Sequence, residues 1–183
     1  MLSLRIIFGF ANNIIMKQTL KYIYERLIDN MKLAENKYSI TIALASGVIV
    51  FGSSFLSSQN FFSKTLSAAC VIFALISVLY GFFALSAKHI HIRRKRKTRP
   101  VRNLMYYADI VKFDEMNYVA EIIKRYNFPK NYKPDEFDYD LARQIISLAR
   151  IVHLKYLNFN LSLVFLILSV LSGVGLIFFL SLW

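Results

Sequence analysis

The sequence predicts an all-α integral membrane protein with three transmembrane helices and a small helical cytosolic segment. Three observations carry this. Residues 38–57, 66–87 and 157–181 hold no charged side chain. Hydrophobic residues reach 56% of the 183, against roughly 45–50% in ordinary globular chains. Only three prolines and six glycines interrupt them, which favours helices. About 20 residues at 1.5 Å rise cover the ~30 Å hydrocarbon core of a bilayer.

Residues 1–37 form the first element, an amphipathic helix at the cytosolic face. A cleaved signal needs an unbroken apolar centre, and Asn12 and Asn13 interrupt this one. A start lying on the membrane surface fits better. Met16 is an alternative start, because a charged helix opens just after it. Leu20, Ile23, Tyr24, Leu27, Met31 and Ala34 then recur at three- and four-residue steps, one helix face. Lys21, Glu25, Arg26, Asp29 and Lys32 fill the solvated remainder.

The first span is residues 38–57. Its Ala43, Ala45, Ser46, Gly47 and Gly52 suit close helix contact. Residues 58–65 make an external hairpin whose one charge is Lys64. The second span is residues 66–87. It holds Cys70, the single cysteine, which reads as a small apolar residue and excludes a disulfide framework.

Residues 88–156 are a basic, helical, cytosolic segment. Eight of the chain's 23 Lys and Arg residues fall between Lys88 and Arg102. Pro100 interrupts this block. Asp114 reads as the N-cap of a helix ending near Tyr126, with Met116, Val119, Ile123 and Tyr126 as its apolar stripe. Asn127, Pro129, Asn131 and Pro134 mark a loop. Asp135, Glu136 and Asp138 open the next helix, as the helix dipole favours. Ala142, Ile145, Ala149, Val152 and Tyr156 continue it at a spacing that suits a partner helix. The third span, residues 157–181, follows without punctuation. Its Gly173 and Gly175 are too close for a GxxxG pair, and Trp183 suits an interfacial anchor.

Lys and Arg near the spans set orientation. Six precede the first span, one lies in the hairpin and sixteen lie between Lys88 and Lys155. The amino end and residues 88–156 are therefore expected in the cytoplasm, with the hairpin and carboxyl end outside a multi-pass inner-membrane protein. Arg93, Arg94, Lys95, Arg96, Lys97 and Arg99 read first as this topological lock, in contact with anionic headgroups. A phosphate ligand is the lesser reading. Nucleic acid is the least, since no recognised nucleic-acid motif accompanies the block.

No reactive cluster is legible. His89 and His91 sit within the basic block, where a bound cation would be repelled, and no HExxH, GxxxxGK or Gly-x-Ser-x-Gly pattern occurs. The expectation is a protein without catalytic residues, metal or cofactor.

Three stretches carry a family resemblance. RLIDNMKLAENKYSITIALASGVIVFG holds an acid-x-Lys-x-Ser step at Glu35, Lys37 and Ser39. NLMYYADIVKFDEMNYVAEI holds Tyr106, Tyr107, Asp109 and Tyr118. DYDLARQIISLARIVHLKYLNFNLSLVFLI leads through a Lys-Tyr step into the last span. In order and spacing they resemble the transmembrane effectors of Pycsar antiphage systems, with Glu35 and Tyr38 departing from that family's frequent Asp-x-Lys-Ala-Ser. The resemblance implies that a cyclase senses infection and makes cCMP or cUMP. The effector then impairs the inner membrane, and the infected cell stops growing or dies.

Three spans are too few to enclose a pore, so activity would need homo-oligomers. The small residues of the first span and the stripe from Ala142 to Tyr156 are the candidate contact faces. A cyclic phosphate and flat base call for cations beside aromatics. Arg102, Tyr106 and Tyr107, joined by Arg143, are the candidate ligand residues. The competing readings are a constitutive holin-like or toxin-like membrane protein and an accessory subunit of a membrane complex.

Overall fold

The computed structural model describes residues 2–86, 103–129 and 132–182, with residues 2–12 as helical backbone only. The order is α1 (Leu2–Ser53), α2 (Phe61–Leu85), α3 (Tyr107–Ile110), α4 (Glu115–Arg125) and α5 (Glu136–Ser181). No strand occurs among the described residues. The chain divides into two compact units, Met1–Met31 with His89–His153, and Lys32–Lys88 with Leu154–Trp183.

In the first unit, apolar stripes meet as expected. Met16, Leu20, Ile23 and Leu27 of α1 share one core with Ala142, Ile145, Ile146 and Ala149 of α5, all of them buried. Leu104, Ile110, Tyr118, Val119 and Ile122 complete it. Each large side chain so buried contributes roughly 1.5–3 kcal/mol. The α5 stripe is thus covered within the chain, at Ala142, Ile145, Ala149 and Val152 alike. That removes it as a face between protomers.

Local chemistry sets the ends of α4 and α5. The Asp114 carboxylate accepts the Asn117 N–H at 2.8 Å, the N-cap its position suggests. Past Tyr126, Asn127 turns left-handed at φ 53°, and the Phe128 N–H reaches back to the Ile123 carbonyl at 3.0 Å. This is a Schellman closure with Asn in the usual glycine place. At α5, the Asp138 N–H donates to Asp135 at 2.9 Å and the Asp135 N–H donates to Asp138 at 3.1 Å. The reciprocal pair is a capping box built from two aspartates. The apolar stripe of α4 needs correction. Met116 is 72% exposed, and the buried face is Tyr118, Val119 and Ile122. The Tyr118 hydroxyl donates to the Leu104 carbonyl at 2.8 Å, which lets a tyrosine sit inside.

In the second unit, large and small residues exchange places. The buried residues of α2 are Ser63, Ser67, Cys70, Ala74, Ser77, Gly81 and Ala84, at alternating four- and three-residue steps. Their small size lets helices approach closely. Ser77 and Ser162 hydroxyls exchange bonds with each other's backbone carbonyls at 2.8 and 2.9 Å, and Ser169 donates to the Cys70 carbonyl at 2.6 Å. Ser67 donates to the Gly52 carbonyl. Outside lie Ile40, Leu44, Val50, Leu79, Phe83, Leu171, Val174 and Phe178, all exposed.

Two helices among the described residues are long and apolar enough to cross a membrane, Phe61–Leu85 and Glu136–Ser181. The expected first span is not a separate helix. α1 passes through Glu35, Lys37 and Ser39 unbroken, joining the expected first element, residues 1–37, to the expected span. The helical part of the uncharged run, residues 38–53, is shorter than the about 20 residues a span requires. The polar connection falls earlier than the expected hairpin, because Asn60 caps α2 and Phe61 opens it.

Candidate functional site

Charges that enter an apolar helix bundle need partners, because desolvation penalises a bare ion. Among the described residues of the second unit, one charge is buried in this way. Lys155 is 4% exposed, and its Nζ lies 2.6 Å from Glu35 Oε1. Three residues on from Glu35, the buried Tyr38 hydroxyl donates to the Lys155 backbone carbonyl. The Tyr38 ring meets Phe159 edge-on, with centroids 5.5 Å apart. Lys37 lies over Tyr156 at 5.7 Å and over Phe159 at 5.8 Å. One turn of α1 therefore clasps one turn of α5, with Ala34 and Ala84 packed into the same cluster. Removing Glu35 strands a buried ammonium, whereas removing Lys155 leaves a carboxylate that still reaches solvent. Each cation–π contact adds roughly 0.5–1 kcal/mol where exposed.

The ligand residues expected from the sequence are placed as follows. The Tyr106 and Tyr107 rings are adjacent, with centroids 4.6 Å apart, and the Tyr106 hydroxyl donates to that of Tyr107 at 3.4 Å. Tyr106 is exposed, whereas Tyr107 packs against the core and lies 6.1 Å from the His153 ring. Arg143 is engaged by carboxylates, Glu115 at 3.5 Å and Asp140 at 3.2 Å. Arg102 and the topology residues Arg93, Arg94, Lys95, Arg96, Lys97 and Arg99 lie outside the described residues.

Elsewhere in the first unit, a cleft of about 600 Å³ is lined by Gln18, Thr19, Tyr22, Met105, Tyr126 and Phe128, among others. The Arg26 guanidinium lies 3.9 Å from the Met105 sulfur. Burial pushes the Tyr118 hydroxyl pKa up. Burial, then the bond to Asp138, does the same for Tyr132. Both phenols are hydrogen-bond donors, Tyr118 to the Leu104 carbonyl and Tyr132 to the Asp138 carboxylate.

A protein-family model described as PycTM, Pycsar effector protein domain, matches residues 19–182. The chain belongs to the Pycsar effector family. The match takes in most of α1 and all of α2 to α5, so it reaches into both units and includes the whole clasp. No curated protein matches the chain, and no solved structure does. The two apolar helices and the Pycsar effector domain together support a membrane protein with a place in antiphage defence. Two stretches that carried the resemblance meet in the clasp, the Glu35–Lys37 step and the Lys155–Tyr156 step. Sequence reading took them separately. The signal that could have joined them is the register. Lys155 lies three past Val152, on the buried face, and Glu35, one residue past the stripe position Ala34, lies at that stripe's edge.

Proposed function

We propose that this Pycsar effector is a three-span inner-membrane protein switched on by cCMP or cUMP. Its activation impairs the membrane, and the infected cell stops growing or dies. The observation that supports this most is the inverted build of the second unit. Serines, alanines and glycine are inside, and leucine, isoleucine, valine and phenylalanine are outside. Such a surface is stable against lipid and not against water. The uncharged residues 54–57 prolong the apolar run of α1 through its turn, which supports the third crossing. The amino end and residues 88–156 face the cytoplasm by their excess of Lys and Arg.

Three spans do not enclose a pore, so the active form is a homo-oligomer in the bilayer. Arg102, Tyr106 and Tyr107 are the proposed contacts for the cyclic phosphate and base. Arg143 joins them only by giving up a carboxylate. Dye-loaded vesicles carrying the purified protein test the reading. Leakage is expected with cCMP or cUMP and not with cAMP. Vesicles that stay tight under every nucleotide sink it, and leakage without any nucleotide replaces it with a constitutive membrane toxin.

A further inference from the structure

We propose that the Glu35–Lys155 clasp is the two-state element of this effector, closed at rest and opened on activation. The inference rests on the proposed function for its leakage readout, and on geometry for the rest. Within the second unit, α2 is tied to α5 by the Ser77–Ser162 and Cys70–Ser169 bonds, and to α1 by the Ser67–Gly52 bond. In the clasp turn, polar ties join α1 to α5 through Glu35, Lys37 and Tyr38. Opening the clasp turn as a whole, the ion pair with the Tyr38 bond and the Lys37 ring contacts, therefore loosens α1 from α5 while α2 keeps its hold on α5.

The pair is also built to be either shut or open. Glu35 has a side chain 41% exposed, whereas that of Lys155 is 5% exposed. Losing the carboxylate strands a buried ammonium, which must then move to water or headgroups. Intermediate geometries gain nothing. Along the chain, the clasp comes directly after the points where both helices leave the first unit, Met31 and His153. It is thus the first polar contact of the second unit on either helix.

The test uses the full chain in vesicles of phosphatidylethanolamine and phosphatidylglycerol, without nucleotide. The variants are Glu35→Gln, Lys155→Met and the exchange Glu35→Lys/Lys155→Glu. Spin labels at the exposed Ile40 and Leu157, on a Cys70→Ala background, report the α1–α5 distance. Both single variants are expected to lengthen that distance and to leak on the order of tenfold faster than wild type. The exchange is expected to restore both. Unchanged distances in the single variants, or an exchange that restores neither readout, overturns the proposal. If a charge variant does not insert, Tyr38→Phe decides. It removes one tie and strands no charge, and a distance distribution identical to wild type then counts against the clasp. A wild type that never leaks defeats the proposed function, while the distance measurement still judges the clasp.

Discussion

The two units obey opposite rules of burial. In the first, Leu20, Ile23, Leu27 and Ile145 are buried, and of the charged residues described only Asp109 and Asp138, both hydrogen-bonded, lie inside. In the second, Ser67, Ala74, Ser77 and Gly81 are buried and Leu171, Val174 and Phe178 face out. Water drives the first arrangement, because hiding large apolar surface is worth about 25 cal/mol per Å². Lipid offers no such gain, and close packing with interhelical hydrogen bonds holds the second. One chain therefore carries two folding logics, and α1 and α5 each run through both.

Truncation and enlargement should break the two units in mirror fashion. Ile145→Ala opens a cavity in the first core and is expected to cost about 2–5 kcal/mol. Ala74→Leu overfills the second and is expected to cost roughly 1–3 kcal/mol. Denaturation in detergent, followed by circular dichroism, measures both. Equal tolerance of Ala74→Leu and of a leucine at an exposed lipid-side position would remove the close-packing argument.

Exposure itself should mean different things in the two units. Met116 is 72% exposed in the first and Leu171 is 61% exposed in the second. Met116→Lys is expected to be neutral within about 0.5 kcal/mol. Leu171→Lys places a cation near the middle of the last span and is expected to raise its insertion cost by about 3 kcal/mol. Membrane-fraction yield in cells compares them. Similar yields would mean that the outer face of the second unit does not meet lipid.

Much of this was legible before any coordinates. The Asp114 cap, the acidic start of α5 and the stripes of α1 and α5 all follow from local spacing. Local spacing does not say which residues 120 positions apart will meet, so Glu35 and Lys155 stayed unjoined. The break expected at Tyr38 was misplaced for another reason. The last charge, Lys37, marks a change of solvent and not a change of backbone, and nothing there stops a helix. Met116 lies on the second of the two apolar faces that the eleven-residue α4 offers. Only the bond from Tyr118 to the Leu104 carbonyl chooses between them. The small-residue seam of α2 could have been found, since its alternating steps stand in the sequence. Hydropathy hides it, because alanine and cysteine count as apolar like their larger neighbours and only the serines interrupt the run.

The smallest expected effect belongs to the watery side of the first unit. Lys17 Nζ lies 2.8 Å from Asp135, the residue that opens the α5 capping box. The Lys17 hydrogen bond, with help from the Asp138 N–H, holds the Asp135 carboxyl below its ordinary value, and the same contact raises Lys17. A depressed carboxylate pKa stabilises the fold above the unfolded value, near 3.9, and that contribution is lost as pH falls through the folded value. Raised Lys17 adds stability below its unfolded pKa and loses it only as pH climbs through the folded one. Lys17→Met should therefore be slightly less stable than wild type from neutrality downward, should begin its acid transition at a higher pH, and should match wild type only below the folded pKa of Asp135. Both side chains are more than a third exposed, so water and salt screen the pair and the shift should shrink at high ionic strength. Acid titration by circular dichroism at low and high salt reads it. Superimposable curves at low salt would show that the capping box holds the start of α5 without its lysine. The comparable pair in the second unit, Glu35–Lys155, has one partner out of reach of salt, and its variants should keep their effect where those of Lys17 fade.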